Sequence, residues 1–222
     1  MSVHIDNSEE YVVMINEEEF ERRDSYRFFK KFEKSYYGIG TRICIDSLIA
    51  YKKKYNASFY GLITFVIIKA CNQVKHFRYR LQDNKICLYD KVACSCAVLK
   101  EDKNIEFTNF ILESNSLKNF LSEFEKKRKL ALCENKYCEK TLKAAALYLT
   151  AMPWFPIKYM DNARYRLRDD TIPRFTYGKY YVNDEHIFLD LSIEMSHMFV
   201  DGYHVHLLLE EIDKIINNLE ML

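Results

Sequence analysis

Glycine and proline are scarce in this sequence, with five glycines and three prolines among 222 residues. These residue types supply most sharp turns and most interruptions of regular structure, so we expect mainly helices and strands. An excess of charge of one sign is also absent, because 33 Lys and Arg balance 32 Asp and Glu to a net charge of +1. Such a chain has no overall field to attract nucleic acid or an anionic membrane, and we expect neither as a partner.

Long apolar runs and an export signal are missing as well. The longest apolar stretch, residues 62–68, is interrupted by Thr64 and followed by Lys69, which makes it too short to span a bilayer. The N-terminal segment is acidic and has no basic region followed by an apolar one, so we expect no signal peptide. These features predict a cytoplasmic protein that does not enter a membrane.

A complete metal-binding pattern is not found among the seven cysteines. Most of them lie inside apolar patterns, as reduced core thiols do in cytosolic proteins. Cys94 and Cys96 form a C-x-C pair, but no second Cys or His pair accompanies it to complete a site. We interpret the pair as part of the core and expect no metal.

The 49% apolar and 29% charged residues indicate one domain over 1–222, since no repeat or linker divides the chain. Strands are predicted at 11–15, 41–45, 78–81, 85–89, 92–99, 104–110, 144–151, 174–182 and 187–195. Helices are predicted at 18–34, after a cap at Asp46 or Ser47, at 58–74, at 116–133 and at the C-terminus. Because these elements alternate without strict βαβ order, we expect an α/β two-layer sandwich with a mixed β-sheet.

The segment 187–205 carries the most informative residues. Its strand alternates apolar and polar side chains, and the same parity places His197 on the apolar face. A half-buried imidazole there tends to stay neutral near pH 7 and is available as a base. Asp201 and Gly202 form a turn pair at the start of the final helix, where a carboxylate is stabilised.

Plainer interpretations of these residues stay open on spacing alone. A histidine at the end of a strand is more often a core or surface residue than a base, and Asp-Gly is a common capping pair. Arg22 lies on the predicted first helix in line with Tyr26 and Phe29, and an exposed arginine there is the ordinary alternative.

Several motifs together resemble a known family. His-Met-Phe-Val-Asp-Gly at 197–202 fits the H-x-x-x-D-G signature that several coenzyme A-dependent acyltransferase groups share. Residues 196–205 resemble the active-site segment of the chloramphenicol acetyltransferases of the trimeric, histidine-based class. Segments 21–26, 149–154 and 175–180 are similar to that family's Arg-containing helix, its Ser-Ala-x-Pro-Trp segment and its Thr-Met-x-Lys-Tyr strand. The resemblance runs from about residue 11 to the end.

The resemblance implies a homotrimer, with active sites at subunit interfaces, that transfers acetyl from acetyl-CoA to a hydroxyl of chloramphenicol in a ternary complex. No acyl-enzyme forms in such a reaction. His197 then acts as the general base on the acceptor hydroxyl. Thr150 matches the family's serine, which donates a hydrogen bond to the tetrahedral oxyanion. Asp201 and Arg22 match a buried ion pair that holds the loop of the base.

The resemblance also implies two sets of binding residues. Those for the acceptor are Thr176, which matches a hydrogen-bonding threonine, and three aromatic residues that would wall the pocket: Phe28, Phe29 and Phe107. Those for coenzyme A are Tyr60, Trp154, Lys179 and Tyr180.

Two departures from the family pattern leave alternatives open. Ser196 stands where the best-known members have a second histidine, and segment 156–170 is far more charged than its counterpart, near the expected acceptor pocket. The same chemistry on another hydroxyl acceptor, or a non-catalytic ligand-binding homologue, therefore remains a competing hypothesis. The acyltransferase core of a 2-oxo-acid dehydrogenase complex would need a lipoyl domain and a subunit-binding module ahead of the first strand, where this sequence has ten residues.

Overall fold

The structure, a computed structural model, describes residues 3–5, 11–112, 116–133, 145–164 and 170–222. Its strands are β1 Val3–Ile5, β2 Tyr11–Ile15, β3 Tyr36–Cys44, β4 Tyr79–Gln82, β5 Lys85–Tyr89, β6 Ala93–Leu99, β7 Ile105–Phe110, β8 Ala146–Ala151, β9 Arg174–Tyr177, β10 Tyr181–Asn183 and β11 His186–Ser196. Its α-helices are α1 Arg23–Phe29, α2 Asp46–Tyr55, α3 Phe59–Gln73, α4 Leu117–Cys133 and α5 Gly202–Asn217.

A mixed sheet forms the centre of the fold. Its strand order is β10-β11-β9-β8-β6-β7, and β3 also pairs with β11. β8 runs parallel to both β6 and β9, and the other pairings are antiparallel. A second, smaller antiparallel sheet has the order β1-β2-β5-β4. The predicted α/β class with a mixed sheet is confirmed.

Helices α2, α3, α4 and α5 cover the apolar face of the main sheet. The helix α3 is buried along most of its length because its apolar residues lie on all sides. It begins at Ser58, whose side chain accepts the N–H of Gly61 at 3.2 Å and so satisfies one of the free amides of the first turn. On β11 the alternate side chains of Leu189, Leu191 and Ile193 are fully buried against these helices.

The other face of β11 is covered by an irregular segment of the chain and not by a helix. Ser192 and Glu194, which the alternation places there, are both buried. Segment 157–164 lies across them, with the N–H of Met160 donating to Ser192 Oγ at 3.1 Å. Gly40 on β3 permits this approach, because a Cβ at that position would lie 2.3 Å from the carbonyl oxygen of Lys158.

Several predicted boundaries are wrong. The first helix starts at Arg23 and ends at Phe29, after a separate 3-10 turn at Glu17–Glu19. The strand expected at 41–45 begins at Tyr36, and Asp46 does not cap α2 but lies in its first turn. The predicted strand 174–182 divides at 178–180, where a Cβ on Gly178 would lie 2.5 Å from the carbonyl oxygen of Phe155.

Cys94 and Cys96 are fully buried, as the apolar pattern predicts, with sulfur atoms 3.6 Å apart. Burial raises the pKa of the Cys94 thiol. Cys138 lies outside the described residues. Among the helices that the structure describes, none combines the length and apolar character needed to cross a membrane.

Candidate active site

His197 is the first residue after β11, at the start of the turn that leads to α5. Its backbone N–H donates to the carbonyl of Ser35 at 2.8 Å. Its ring stacks on Phe29, with the ring centroids 3.9 Å apart and the planes 7° from parallel. The ring of Tyr37 lies on it at 4.3 Å, tilted by 32°. Two aromatic side chains from different elements therefore fix the plane of the imidazole.

Burial lowers the pKa of His197, and the positive charge of Arg22 lowers it further. The backbone carbonyls of His197 and Val200 and the carboxylate of Asp201 act in the opposite direction, but they do not outweigh burial. Nδ1 is buried and makes no hydrogen bond of normal geometry within the described part of the chain. The imidazole is therefore held neutral at pH 7, in the form that can accept a proton.

Arg22 and Asp201 form an ion pair beside this ring, with Nη1 and Oδ2 2.6 Å apart. Arg22 directly precedes α1, so it does not lie on the helix as predicted. Asp201 caps α5, and its other oxygen accepts the N–H of Tyr203 at 3.1 Å. Burial by itself raises the pKa of Asp201, but the ion pair with Arg22 outweighs it, so the carboxyl stays ionised.

Two histidines that the sequence does not single out flank this ion pair. His204 Nδ1 lies 2.8 Å from Asp201 Oδ1 and accepts the Asp201 N–H at 3.1 Å. The His204 ring is 3.6 Å from that of His76, and His76 Nε2 lies 3.2 Å from Glu21. Burial is the largest effect that lowers the pKa of His76, to about 4. The position of His204, three residues after the capping Asp201, is the sequence signal that would have identified it.

Thr150 and Thr176 lie on adjacent strands and are register partners on β8 and β9. Thr176 also pairs with Ser192 of β11, so the three residues form one row across the sheet. Thr150 is half-buried, whereas Thr176 is fully buried and its Oγ1 lies 3.4 Å from the side-chain amide of Asn162. Segment 157–164 therefore covers the threonine expected to contact the acceptor.

A cavity of about 270 Å³ opens at the end of β8, where Ala151, the residue after Thr150, is part of its lining. It contains three of the four residues expected to bind coenzyme A, and its lining consists of Phe59, Tyr60, Ala151, Pro153, Tyr177, Gly178, Lys179 and Tyr180. The hydroxyl of Tyr60 donates to the carbonyl of Ala97 at 2.8 Å. Trp154 does not line the cavity and is 62% exposed.

The three phenylalanines expected at the acceptor pocket do not lie together in one chain. Phe28 is exposed and packs edge-on against Phe29, beside His197. Phe107 is on β7, at the edge of the main sheet that is farthest from β11. Phe28 and Phe29 therefore lie near the end of β11, whereas Phe107 lies on the distant edge strand β7.

His197 and Thr150, the two residues expected to act on the reacting atoms, are also far apart within one chain. Thr150 is level with Ser192, and β11 continues four residues beyond it to Ser196, or roughly 13 Å along the sheet. Two strand spacings add about 10 Å across it. Within one chain, the His197 group (Arg22, Phe29, Tyr37, His197 and Asp201) is therefore distant from the Thr150 group (Thr150, Thr176 and the cavity residues).

Comparison with known proteins finds consistent relatives. The family model for chloramphenicol acetyltransferase matches residues 11–213. A chloramphenicol acetyltransferase of Proteus mirabilis is 21% identical over 203 residues, or 91% of this chain and 94% of that protein. One of Staphylococcus aureus is 25% identical over 218 residues, or 91% of this chain and 98% of that protein.

Solved structures share the fold at lower identity. A chloramphenicol acetyltransferase superposes with a TM-score of 0.82 at 19% identity, covering 92% of this chain and 99% of its own. The dihydrolipoamide acetyltransferase of Azotobacter vinelandii has a TM-score of 0.67 at 12% identity, covering 89% of this chain and 87% of its own.

Proposed function

The chain belongs to the chloramphenicol acetyltransferase family, and on that premise we propose that it transfers an acetyl group from acetyl-CoA to a hydroxyl of chloramphenicol, inactivating the antibiotic. Membership makes it an acyltransferase, and it decides against the alternative of a dehydrogenase-complex core. The acceptor, the trimer, the cytoplasmic location and the role of each residue are parts of the proposal.

In this reaction His197 is the general base. Its neutral imidazole takes the proton of the acceptor hydroxyl while that oxygen attacks the thioester carbonyl, a step for which a positioned base contributes about 10²–10⁴-fold. The tetrahedral intermediate collapses with cleavage of the C–S bond, and the protonated imidazole returns the proton to the departing thiolate. The Thr150 hydroxyl donates a hydrogen bond to the oxyanion.

The observation that carries the proposal is the separation of His197 from Thr150 within one chain. A base and an oxyanion donor must both reach the same tetrahedral centre, each at about 3 Å. Separated by more than about 13 Å along the sheet, the two residues of one chain cannot meet at one acetyl group. A site between copies, with His197 from one and Thr150 from its neighbour, satisfies this requirement and is what a closed homotrimer provides.

The cavity at the end of β8 supports coenzyme A as the acetyl donor. Its aromatic walls suit the methylene groups of the thin pantetheine arm, and Lys179, exposed at its rim, offers a positive charge for phosphate. Tyr60, Tyr180 and Lys179 are the proposed contacts. Trp154, exposed nearby, would contact the part of the cofactor outside the cavity.

A second acceptor class is favoured by one observation. Thr176 is covered by Asn162, so chloramphenicol reaches it only when segment 157–164 moves. A smaller or more polar hydroxyl compound that leaves this segment in place is the competing candidate, with the same base and the same donor.

The test measures thiol release from acetyl-CoA with chloramphenicol present, for the wild type, His197→Ala and the control His206→Ala, which replaces an exposed histidine of α5. The wild type and the control are expected to turn over, with His197→Ala slower by at least about 10²-fold. Coenzyme A binding without turnover in the wild type would contradict chloramphenicol as the acceptor. Equal rates for His197→Ala and wild type would contradict the role of the base, and failure to bind coenzyme A would overturn the whole proposal.

A further inference from the structure

A second cluster of reactive side chains lies at the opposite end of β11 from His197. It consists of Cys44, the last residue of β3, Asp46 in the first turn of α2, and His186, the first residue of β11. One ligand atom from each lies within 4.8 Å of the other two. β11 has 11 residues, so the cluster is roughly 33 Å from the catalytic end of the strand.

We propose that Cys44, Asp46 and His186 form a binding site for a divalent transition-metal cation, with Zn²⁺ as the ion that the donor set fits best. Thiolate, imidazole and carboxylate are the three ligand types that zinc takes in proteins, and sulfur and nitrogen donors disfavour Mg²⁺ and Ca²⁺. The site is independent of the proposed acetyl transfer.

The present hydrogen bonds already direct the three groups to one point. His186 Nδ1 lies 2.6 Å from Asp46 Oδ2, and Cys44 Sγ lies 3.4 Å from the same oxygen. Both groups therefore face the position from which a cation would contact all three. Ligand atoms of a tetrahedral zinc ion stand about 3.3–3.8 Å apart, given metal–ligand bonds of about 2.0–2.3 Å, so small side-chain rotations suffice.

The carboxylate is held in place by a further contact. Asp46 Oδ1 accepts the backbone N–H of Ile187 at 2.7 Å, which orients the other oxygen toward Cys44 and His186. Hydrogen bonds of this kind to the outer oxygen of a ligand commonly fix metal-binding carboxylates.

Charge balance agrees with a divalent ion. Cys44 loses its thiol proton on binding, His186 binds through Nδ1 as the neutral tautomer with its proton on Nε2, and Asp46 is already a carboxylate. Two negative ligands then match the 2+ ion, and one proton is released per ion bound. Cys44 and His186 are exposed, which leaves a fourth position for water.

The experiment titrates untagged, reduced protein with Co²⁺ and Zn²⁺. The wild type is expected to bind one ion per chain, to show a near-ultraviolet thiolate-to-cobalt charge-transfer band, to release about one proton, and to melt at a higher temperature with Zn²⁺. Cys44→Ser should lose the band and bind Zn²⁺ at least about tenfold more weakly. His186→Asn should weaken binding by a similar factor.

Matched controls are available in the chain. Cys133→Ser replaces the other cysteine that is exposed in the described residues, and His206→Asn replaces an exposed histidine that lies 3.6 Å from a carboxylate of Glu210. Both should bind metal as the wild type does. Circular dichroism confirms that each variant is folded, and acetyl transfer by Cys44→Ser is expected to be unchanged. Equal Zn²⁺ affinity for wild type, Cys44→Ser and His186→Asn, or no charge-transfer band in the wild type, would overturn the proposal.

Discussion

The packing of His197 controls its protonation state. Phe29 and Tyr37 remove water from its ring, and the nearby Arg22 adds positive charge, so both effects favour the neutral form. Burial also raises the pKa of Tyr37 to about 12, so the phenol stays protonated and uncharged at working pH. Neither neighbour competes with the imidazole for the proton of the acceptor.

The pH dependence of kcat/KM tests this arrangement. The base works only when neutral, and burial lowers its pKa below the ordinary value of 6.5. The rate should therefore fall on the acid side as His197 takes up a proton, with the midpoint of the fall below pH 6.5. In Arg22→Met the loss of a positive charge raises the pKa, so the fall should begin at higher pH than in the wild type, most clearly at low ionic strength.

Asp201→Asn should change the pKa of His197 in the opposite direction to Arg22→Met. The carboxylate raises the pKa of His197, so its removal should shift the acid limb to lower pH than in the wild type. A purely structural role for the ion pair would reduce the rate at every pH and leave the shape of the profile unchanged. That result would contradict the electrostatic account.

From local spacing alone, only those members of the His197 group that lie close together in the sequence could be predicted. His197 and Asp201 are four residues apart, and their spacing and the strand parity indicate a base and a capping carboxylate. Tyr37 and Phe29 lie far away in the sequence, and only the pairing of β3 with β11 brings Tyr37 next to the imidazole. Local periodicity carries no information about such a pairing.

At the scale of elements, the strand β11 has two buried faces of different kinds. Its alternation predicts an apolar and a polar face, and the structure confirms both. The alternation does not reveal what covers the polar side chains, because segment 157–164 has no periodic pattern of its own. The division of the predicted strand 174–182 has a similar origin, since the close approach of residues 155–157 to Gly178 comes from tertiary packing.

Asn162 links this segment to β11. Its side-chain amide donates to Glu194 Oε2 at 2.6 Å, and its backbone N–H donates to the same oxygen at 3.1 Å. Burial raises the pKa of Glu194, although these hydrogen bonds oppose the effect. Asn162 thus supplies both of these hydrogen bonds to Glu194, while Met160 of the same segment bonds Ser192.

Asn162→Ala should lower the free energy of unfolding by about 1–3 kcal/mol, because it leaves the buried Glu194 with one hydrogen bond fewer. Urea unfolding of the folded protein measures the change. Asn183→Ala, which replaces an asparagine exposed at the β10–β11 turn, is the control and should be within about 0.5 kcal/mol of the wild type. Combining Asn162→Ala with Glu194→Gln should recover part of the loss, since a neutral amide costs less to bury. Equal stability of Asn162→Ala and the control would mean that the segment does not rely on this contact.

At the scale of the whole molecule, the proposed activity depends on how copies meet. Each chain has a His197 group and a Thr150 group, and the strand order holds them apart. Exposed aromatic residues accompany both groups, with Phe28 and Phe32 near the first and Trp154 and Phe155 near the second. Large exposed apolar side chains commonly mark contact surfaces, so these positions suit a junction between one chain and the next.

Mixing two inactive variants tests this arrangement. His197→Ala and Thr150→Ala chains, refolded together in equal amounts, should regain activity that neither has alone, because a His197 from one chain meets a Thr150 from the other. In a ring of three, random mixing makes about three in four trimers mixed, and each mixed trimer has one intact site of three, so activity should approach roughly a quarter of the wild-type value. The control is the double variant mixed with the wild type. Its activity should come only from sites between two wild-type chains and should not exceed that of the wild-type protein present. If the base and the oxyanion donor came from the same chain, every site in the mixture would lack one of them, and the mixed sample would be no more active than its two components.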